Sequence, residues 1–489
     1  MSFPILSYMI FCPLLGMILV MLLRKEQVQV IRWVSALFSF IPLVLSFFLL
    51  AHYDPSTSRM QFVEFHKWIP SLGVNYQLGA DGLSVPMLFL TALLSFVSII
   101  ASFNINFRVK EYFAFFLLLE TGMMGVFAAL DFFLFYIFWE VMLVPMYFLI
   151  GIWGGPRKEY AAIKFFLYTL FGSVFMLVGI LALYFTVEPH TLNMMELIRR
   201  APDLTRGFQL IVYVAFYLAF AIKVPIFPFH TWLPDAHVEA PTAVSVILAG
   251  ILLKMGIYGL LRISYPMFPQ AAIYFALPLA ILALINIVYG ALVCMAQKDL
   301  KKLVAYSSVS HMGYCLLGIA AITVTGISGC VFQMVSHGLI TGALFLLVGV
   351  LYDRAHTRDI HAFGGLWIKL PVYSGIMTLF CLGSLGLPGL SGFISEFMVF
   401  LGSFPVFKVL VAIAVLGVVI TAGYFLRMIQ WMFLGKFNTK WEALPEISGR
   451  EIFTVTPLAI LMIFIGVYPM PLANIIKATV ENIVHLVGG

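Results

Sequence analysis

The sequence predicts an all-α polytopic membrane protein with about fourteen transmembrane helices, two of them broken. Three observations support this fold class. Hydrophobic residues make up 62% of the chain and charged residues only 10%, whereas an average soluble domain has about 25% charged residues. Apolar runs of about 20 residues, the length that spans a bilayer, follow one another along most of the chain. Proline and glycine interrupt two of these runs.

The predicted spans are separated by charged or Pro/Gly-rich loops. The first span has no basic residue before it and is long enough to cross the membrane, so it predicts a retained helix and not a signal peptide. The spans are 3–23, 30–51, 82–104, 111–129, 131–151, 160–187, 208–229, 241–264, 271–295, 302–322, 327–350, 371–402, 405–434 and 451–474.

The basic residues are distributed unevenly between the two sides of the predicted bundle. With loops assigned to alternate faces, the odd loops hold 18 of the 28 Lys and Arg residues, and the even loops with the tail hold 8. Basic residues near the ends of spans are counted with the adjoining loops, and the remaining two, Lys223 and Lys254, are left inside the membrane. Because cytoplasmic loops are enriched in Lys and Arg, both termini are expected on the outer face. The net charge of +6 is then explained by the orientation of the chain in the membrane, and no nucleic-acid partner is needed to account for it.

Helix-breaking residues interrupt the seventh and the twelfth predicted span. Lys223 is followed by Pro225 and Pro228, and the segment 383–397 contains four glycines and a proline. Backbone groups freed by such breaks are tolerated in a membrane only where protein or water lines them. Breaks five spans apart predict two five-helix repeats, and an odd number of spans inverts the second repeat. The predicted organisation is helices 1–3 in 1–110, repeats at 111–264 and 271–434, and a final helix and tail at 451–489.

Lysine and glutamate residues inside the predicted spans are the first candidate functional residues. Lys254 lies about 15 Å from either end of its span, which is too far for snorkelling. A central lysine costs about 2.5 to 3.5 kcal/mol on insertion scales, so it requires a partner or a wet cavity. Glu140 has no basic neighbour at helical spacing. It therefore either pairs with Lys223 from another helix or is neutral.

Further candidates lie in later spans and at one helix junction. Glu396, at the second break, is another mid-membrane carboxylate, with capping of the second half-helix as its structural alternative. His311 and His337 lie in consecutive spans and fit a proton relay, although a single buried histidine is usually structural. Glu120 is expected to be buried without an evident role. A polar mouth or hinge, rather than a metal site, is predicted for the cluster of His230, Asp235, His237 and Glu239.

The sequence contains no motif for a bound cofactor. It has no GxGxxG after a strand, no GxxxxGK[ST], no HExxH and no CxxC, so we expect no cofactor, nucleotide or metal on this chain. Energy for transport must then come from an ion gradient or from partner subunits. The spacing and apolar surroundings of the cysteines are typical of packing residues, and these are Cys12, Cys294, Cys315, Cys330 and Cys381.

Three blocks of the chain resemble the antiporter-like subunits of respiratory complex I, the NADH-quinone oxidoreductase. They are "KVPIFPFHTWLPDAHVEAPTAVSVILAGILLKMGIYGLLR" at 223–262, "KDLKKLVAYSSVSHMGY" at 298–314 and "LPGLSGFISEF" at 387–397. The likeness extends over nearly the whole chain. It implies a fourteen-helix, proton-translocating subunit with two inverted five-helix repeats, which is part of a redox-driven translocase and has no redox active site of its own.

The resemblance also implies a role for each candidate residue. Glu140 matches the carboxylate that pairs with Lys223, and Glu396 matches the exit-side residue. The related chains L and N and the D subunit of Mrp-type antiporters typically have lysine at the position of Glu396, so the glutamate distinguishes this chain from them. We hypothesise that redox chemistry elsewhere in the complex changes the Glu140–Lys223 pair, so that a proton passes from Lys223 through the central residues to Glu396 and the outer face. The central lysine and the connecting histidines match Lys254, His311 and His337.

Partners and location follow from the same resemblance. FMN, iron–sulfur clusters and quinone are expected on partner subunits. The expected partners are chains L and N, the smaller membrane chains, membrane lipids and, indirectly, the peripheral redox arm, in a bacterial inner membrane. Two alternatives stay open at this point: the D subunit of an Mrp-type Na⁺/H⁺ antiporter, and a structural membrane spacer in which buried charges only fix helix packing.

Overall fold

The computed structural model describes residues 3–488, which are almost entirely helical. Thirteen helices are long and apolar enough to cross a membrane. Two shorter apolar helices, Pro371–Ser384 and Ser391–Ser403, supply one further crossing between them. The predicted fold class and the expected number of about fourteen spans are confirmed.

The helices follow one another in the order that the hydropathy pattern predicts. The first three spans are α1 (Ile5–Leu22), α2 (Val28–His52) and α3 (Ser84–Ala101). The next group is α4 (Val109–Ala128), α5 (Phe132–Trp153), α6 (Lys158–Thr186), the short α7 (Met194–Arg200), α8 (Arg206–Lys223), α9 (Trp232–Glu239) and α10 (Thr242–Met267).

The second half of the chain begins with the short helix α11 (Pro269–Tyr274). It continues with α12 (Ala276–Met295), α13 (Leu300–Ala320), α14 (Val324–Ala355), α15 (Pro371–Ser384), α16 (Ser391–Ser403) and α17 (Lys408–Phe433). The chain ends with α18 (Gly449–Val467) and the helix α19 (Met470–Val487).

A β-hairpin between α2 and α3 is absent from the sequence prediction. Its strands β1 (Gln61–Ile69) and β2 (Val74–Ala80) pair antiparallel. The Glu64 carboxylate accepts hydrogen bonds from the backbone N–H groups of Leu6 and Ser7 at 2.8 and 3.2 Å. It thereby satisfies donors that the start of α1 leaves free. The hairpin marks one face of the bundle, called the hairpin face below.

The first break separates α8 from α9 and depends on a side chain from another helix. α8 ends at Lys223 and α9 begins at Trp232. Asn286 of α12 accepts a hydrogen bond from the Phe227 N–H at 2.8 Å and donates one to the Pro225 carbonyl at 3.2 Å. Protein therefore lines the freed backbone groups, as a break at membrane depth requires.

The second break, between α15 and α16, depends on glycine. Gly386 and Gly389 have φ angles of +82° and +91°, in the left-handed region that favours glycine. A Cβ at Gly392 would lie 2.1 Å from the Gly383 carbonyl oxygen. Only a residue without a side chain lets the start of α16 pack so closely on the end of α15.

The centre of the bundle is formed by α10, α13 and α14. The most apolar segments of α10 and α14 are 100% buried and that of α13 is 94% buried. The corresponding values for α1, α2, α6, α12, α17 and α18 lie between 33% and 44%, so these helices form the outside of the bundle. Lys254, His311 and His337 all lie on the central three helices. All five cysteines are buried, as expected of packing residues.

Candidate functional site

Lys254 lies at the middle of α10 and is fully buried. Its Nζ donates to the carbonyl oxygen of Ala249 and lies 2.6 Å from Nδ1 of His337 on α14. A π-helical turn at 248–252 widens the helix immediately before the lysine, and such turns are frequent at functional sites. Within residues 3–488, no carboxylate oxygen comes within 4.0 Å of the ammonium group. The partners of Lys254 are thus a carbonyl and an imidazole.

Two glycines allow α10 and α14 to approach closely at this point. A Cβ at Gly338 would lie 3.1 Å from the carbonyl oxygen of Gly250, which is tighter than ordinary van der Waals contact. The close approach brings Lys254 and His337 into contact, since each lies within about one helical turn of its glycine.

His337, His311 and Glu396 continue the series from α14 through α13 to α16. The imidazole centroids are 5.6 Å apart. Nδ1 of His311 lies 3.3 Å from Oε1 of Glu396, and its Nε2 lies 3.0 Å from the hydroxyl of Ser384. A cavity of about 10 Å³, lined by both histidines and Glu396, has room for about one water. The four residues Lys254, His337, His311 and Glu396 are called the central series below.

Uncharged polar side chains around the central series are absent from the sequence prediction. Nε2 of Gln333 lies 3.4 Å from Nδ1 of His311, and its amide oxygen accepts a hydrogen bond from Ser395. The hydroxyls of Ser336 and Ser391 are 2.8 Å apart. Their presence in otherwise apolar spans is the signal that would have identified them, because buried polar groups require partners.

Lys223 and Glu140 are buried or half-buried but do not contact each other. Nζ of Lys223 has no hydrogen-bond partner and lies 5.2 and 5.8 Å from the ring centroids of Trp139 and Phe165, within cation–π range. Oε1 of Glu140 also has no partner. In the described part of the chain the expected ion pair is not formed within 4.0 Å. The proton-carrying role of both residues stays a prediction.

Glu140 lies beside an interruption in α5. The regular helix stops at Val141 and resumes at Leu143. Pro145 explains the interruption, because it has no N–H to donate to the carbonyl four residues earlier.

The predicted polar mouth on α9 is divided between an ion-pair cluster and isolated histidines. Asp235 pairs with Arg157 at 2.9 Å and with Lys164 at 2.7 Å. Glu239 accepts a hydrogen bond from the Arg157 backbone N–H at 2.9 Å. These contacts fasten α9 to the start of α6. His230 is buried with Nδ1 unbonded, and none of the four contacts the central series directly.

His237 and Glu120 are the two remaining candidates. His237 is fully buried with both ring nitrogens unbonded, and it stacks on Phe345 with the centroids 4.6 Å apart. Glu120 of α4 is fully buried with both carboxylate oxygens unbonded. Among the described residues, no group of three or more His, Cys, Asp or Glu side chains is arranged to hold a metal ion.

Three basic residues that sequence analysis counted with the loops are buried, namely Arg32 in α2, Arg262 and Lys301. α10 continues to Met267, so Arg262 lies inside the helix at 5% exposure. Its guanidinium pairs with Asp81, at the start of α3, and donates to the Tyr258 hydroxyl at 3.2 Å. Lys301, in the first turn of α13, is 6% exposed. The loop assignment is wrong for all three residues, because hydropathy does not register distant partners such as the Ile105 carbonyl for Arg32 and the Ala240 carbonyl for Lys301.

Comparison with known proteins assigns the chain to a family. The family described as "NADH:quinone oxidoreductase/Mrp antiporter, TM" matches residues 129–421. NADH-quinone oxidoreductase subunit M of Rickettsia prowazekii is 42% identical over 489 residues and covers 99% of each chain. Subunit M of Rhodobacter capsulatus is 45% identical over 464 residues, covering 93% of this chain and 90% of the relative.

Solved structures show the same fold. A chain of respiratory complex I from Thermus thermophilus with bound NADH has a TM-score of 0.91 at 30% identity over 100% of both chains. A chain of the Mrp complex from Dietzia sp. has a TM-score of 0.88 at 20% identity over 100% of both chains, which shows the fold alone. The resemblance carried by the three sequence blocks is confirmed. The chain belongs to the transmembrane family of NADH:quinone oxidoreductase and Mrp antiporter subunits, where it is similar over its whole length to relatives named subunit M.

Proposed function

We propose that this chain is the proton-translocating membrane subunit of a redox-driven NADH:quinone oxidoreductase. The observation that carries the proposal is the central series, in which four titratable side chains follow one another through the most buried helices. Ionisable residues at membrane depth are costly and mark proton relays and ion pathways. Full-length similarity to relatives named NADH-quinone oxidoreductase subunit M supports the redox-driven type.

The geometry of the central series suits stepwise proton transfer. Lys254 can donate to Nδ1 of His337 at 2.6 Å, because an imidazole accepts at one nitrogen and donates from the other. Nε2 of His337 is unbonded and is free to pass a proton through one water to His311. Glu396 then receives it at 3.3 Å. Each group returns to its first protonation state when the next proton enters.

Glu140 and Lys223 control the charge near Lys254 in this proposal. α8 ends against α10, where a Cβ at Gly256 would lie 2.8 Å from the Phe220 carbonyl oxygen. Two unit charges about 4 Å apart interact by about 4 kcal/mol at an effective dielectric of 20. Formation of the pair would change the proton affinity of Lys223 by up to about a thousandfold. Redox chemistry in partner subunits that opens or closes the pair would thereby drive the transfer.

The two inverted repeats are part of the proposal. The second helix of each begins at an aspartate N-cap, Asp131 for α5 and Asp299 for α13. Each aspartate also forms an isolated β-bridge to the segment after the third helix, at Asn193 and Asp359 respectively. The fourth helix is the broken one in both cases. Since five spans separate the two caps, they lie on opposite faces of the membrane.

Orientation and partners complete the proposal. The positive-inside rule assigns the face opposite the hairpin to the cytoplasm and both termini to the outer face of a bacterial inner membrane. Chains L and N and the smaller membrane chains would contact this chain. FMN, iron–sulfur clusters and quinone would be held by partner subunits, with the peripheral redox arm coupled indirectly.

Copurification tests the proposed function. The chain would be tagged, extracted from its native membrane in mild detergent, and its partners identified by mass spectrometry. Peripheral flavin and iron–sulfur subunits with NADH:quinone activity are the expected result. Small hydrophobic antiporter partners without any redox protein would overturn the proposal in favour of a Na⁺/H⁺ antiporter of the Mrp type.

A further inference from the structure

A cavity of about 310 Å³ opens between the helices on the face opposite the hairpin. The C-terminal end of α3 and the N-terminal ends of α10, α13 and α18 line it. Its size gives room for several waters, each of which takes about 30 Å³ of liquid volume. None of the central series lines this cavity. Its charged wall is formed by Glu239, Lys301, Asp353, Arg358, Arg450 and Glu451.

Lys301 is the most buried cation in the wall of this cavity. It is 6% exposed, and its Nζ donates to the carbonyl oxygen of Ala240 in the junction between α9 and α10. Among described residues, no carboxylate oxygen lies within 4.0 Å of it. A buried ammonium held by one carbonyl is readily neutralised, and lysine can take up and release a proton where arginine cannot.

His237 lies beside the cavity wall and against α14, the helix that carries His337. It is on α9, three residues before Ala240, and both of its ring nitrogens are unbonded. Val238 and Glu239, which follow it on α9, line the cavity. Its ring stacks on Phe345, about two helical turns after His337 on α14. A buried imidazole with two free nitrogens, placed between the cavity wall and the helix of the central series, has the composition of a proton carrier.

We propose that the 310 Å³ cavity is the proton-uptake site of this chain, with Lys301 as the loading residue and His237 as the carrier to Lys254. The proposal rests on the proposed function. A proton from cavity water converts the Lys301 amine to an ammonium. The ammonium protonates one nitrogen of His237, directly or through water, and the other nitrogen releases a proton to neutral Lys254. The lysine and the histidine end neutral, so one proton enters and one is delivered.

This route bypasses Glu140 and Lys223. Uptake would therefore not pass through the break between α8 and α9, and the Glu140–Lys223 pair would set the proton affinity of the lysines electrostatically. The sequence alone favours entry at Lys223 instead, because the cavity and the burial of Lys301 are not visible in it.

Three variants in the assembled complex, in sealed membrane vesicles, test the uptake route. Lys301→Arg keeps the charge and the hydrogen bond to Ala240 but cannot release a proton. His237→Phe keeps the stacking on Phe345. Both should lower proton pumping per quinone reduced at least about fivefold. Lys302→Met, on the same helical turn but outside the cavity wall, is the matched control and should pump normally.

Normal pumping by Lys301→Arg or by His237→Phe would overturn the uptake route. Lys254→Met, measured in parallel, separates this failure from a failure of the proposed function. If Lys254→Met stops pumping while Lys301→Arg pumps normally, only the uptake route is wrong. If Lys254→Met also pumps normally, the central series itself does not carry the protons.

If these variants do not assemble, blocking the cavity with a thiol reagent after assembly provides a second test. Thr242 lines the cavity, and all five native cysteines are buried. Thr242→Cys would therefore be the accessible thiol of this chain for a benzyl methanethiosulfonate after assembly, and the unsubstituted complex treated in parallel controls for thiols of the partner subunits. Labelling should lower pumping at least about fivefold, and reduction with dithiothreitol should restore it. Unchanged pumping at complete labelling would overturn the proposal.

Discussion

The two proposed repeats use corresponding helices in different ways. In the first, Glu140 on the second helix and Lys223 at the break of the fourth are more than 4.0 Å apart. In the second, His311 on the second helix and Glu396 on the broken fourth helix are 3.3 Å apart. One architecture therefore holds an open pair in one half and a closed pair in the other.

The difference indicates that the two repeats have different roles, switching in the first and proton conduction in the second. The closed contact belongs to the central series, where donors and acceptors are already within reach of one another or of one water. The open pair lies beside the interruption in α5 and has an unbonded lysine at the end of α8. A pair with an unbonded ammonium and an unbonded carboxylate oxygen suits a switch, and a connected series suits conduction. The predictions below test this division.

Glu396→Gln should have a large effect on the conducting half. The glutamine keeps the size of the side chain and can hydrogen-bond to His311, but it cannot take up and release a proton. We expect the complex to assemble and proton pumping to fall at least about tenfold. Pumping would be measured with a pH-gradient dye in sealed vesicles.

Glu481→Gln, on the exposed side of α19, is the control for this substitution and should have no effect. Normal pumping by Glu396→Gln would show that the closed contact is structural.

Substitution of the open pair should have a smaller effect. Glu140→Gln and Lys223→Met should each lower pumping about two- to fivefold, and the double variant should be no worse than the more impaired single variant. Residues that act as one unit are not additive. The same vesicle assay checks this, with exposed Lys408→Met as the control. Additive losses would contradict a shared switching role, and complete loss in either single variant would place that residue in the conducting path.

The two breaks should respond to different kinds of substitution. Asn286→Ala leaves the Phe227 N–H and the Pro225 carbonyl without their partner, at a cost of about 1 to 3 kcal/mol for each unsatisfied buried group. Gly389→Ala meets no atom within 4 Å, so only its left-handed backbone opposes it, at about 1 to 2 kcal/mol.

Thermal unfolding of the purified complex would measure both effects. Asn474→Ala, on the exposed side of α19, is the control for Asn286→Ala. If Asn286→Ala is as stable as wild type, the side chain does not hold the first break.

The smallest effect is expected at the N-cap of α5, outside the spans. Burial raises the pKa of Asp131 to about 6, although hydrogen bonds from Asn75, Phe133 and Leu134 oppose the shift. This pKa is above the unfolded value of about 3.9, so ionisation of Asp131 destabilises the folded state. The free energy of unfolding therefore falls as pH rises from about 4 through 6.

Asp131→Asn keeps a cap of similar strength without the charge. Pumping should be unchanged in this variant. Its gain in thermal stability over wild type, measured by thermal unfolding, should be larger at pH 7 than at pH 5. A difference between the two proteins that does not vary with pH would contradict the raised pKa.

Features set by local composition were predictable from the sequence. Spans longer than about 17 apolar residues are distinctive, and Pro225 and Gly386 mark the breaks because their backbone requirements are local. The candidate residues were also visible, because a charge such as Lys254 contrasts with its apolar surroundings.

Features that depend on distant partners were not predictable. Arg262 is neutralised by Asp81, which is 181 positions away in the chain. Lys301 is buried by helices from several parts of the molecule. The missing contact between Glu140 and Lys223 depends on the relative placement of α5 and α8. The hairpin was not predicted because its alternation is interrupted at Phe62 and Val63, and such short runs are weak signals beside long hydrophobic spans.

The most direct test of the central claim is proton pumping by Lys254→Met. The side chain keeps most of its length and loses its titratable group, at a position without any exposed surface. Pumping would be measured per quinone reduced and per assembled complex in sealed vesicles, with exposed Lys477→Met as the matched control. The account predicts an assembled complex with pumping below about a tenth of wild type. Pumping at the wild-type rate by the fully assembled variant would contradict it.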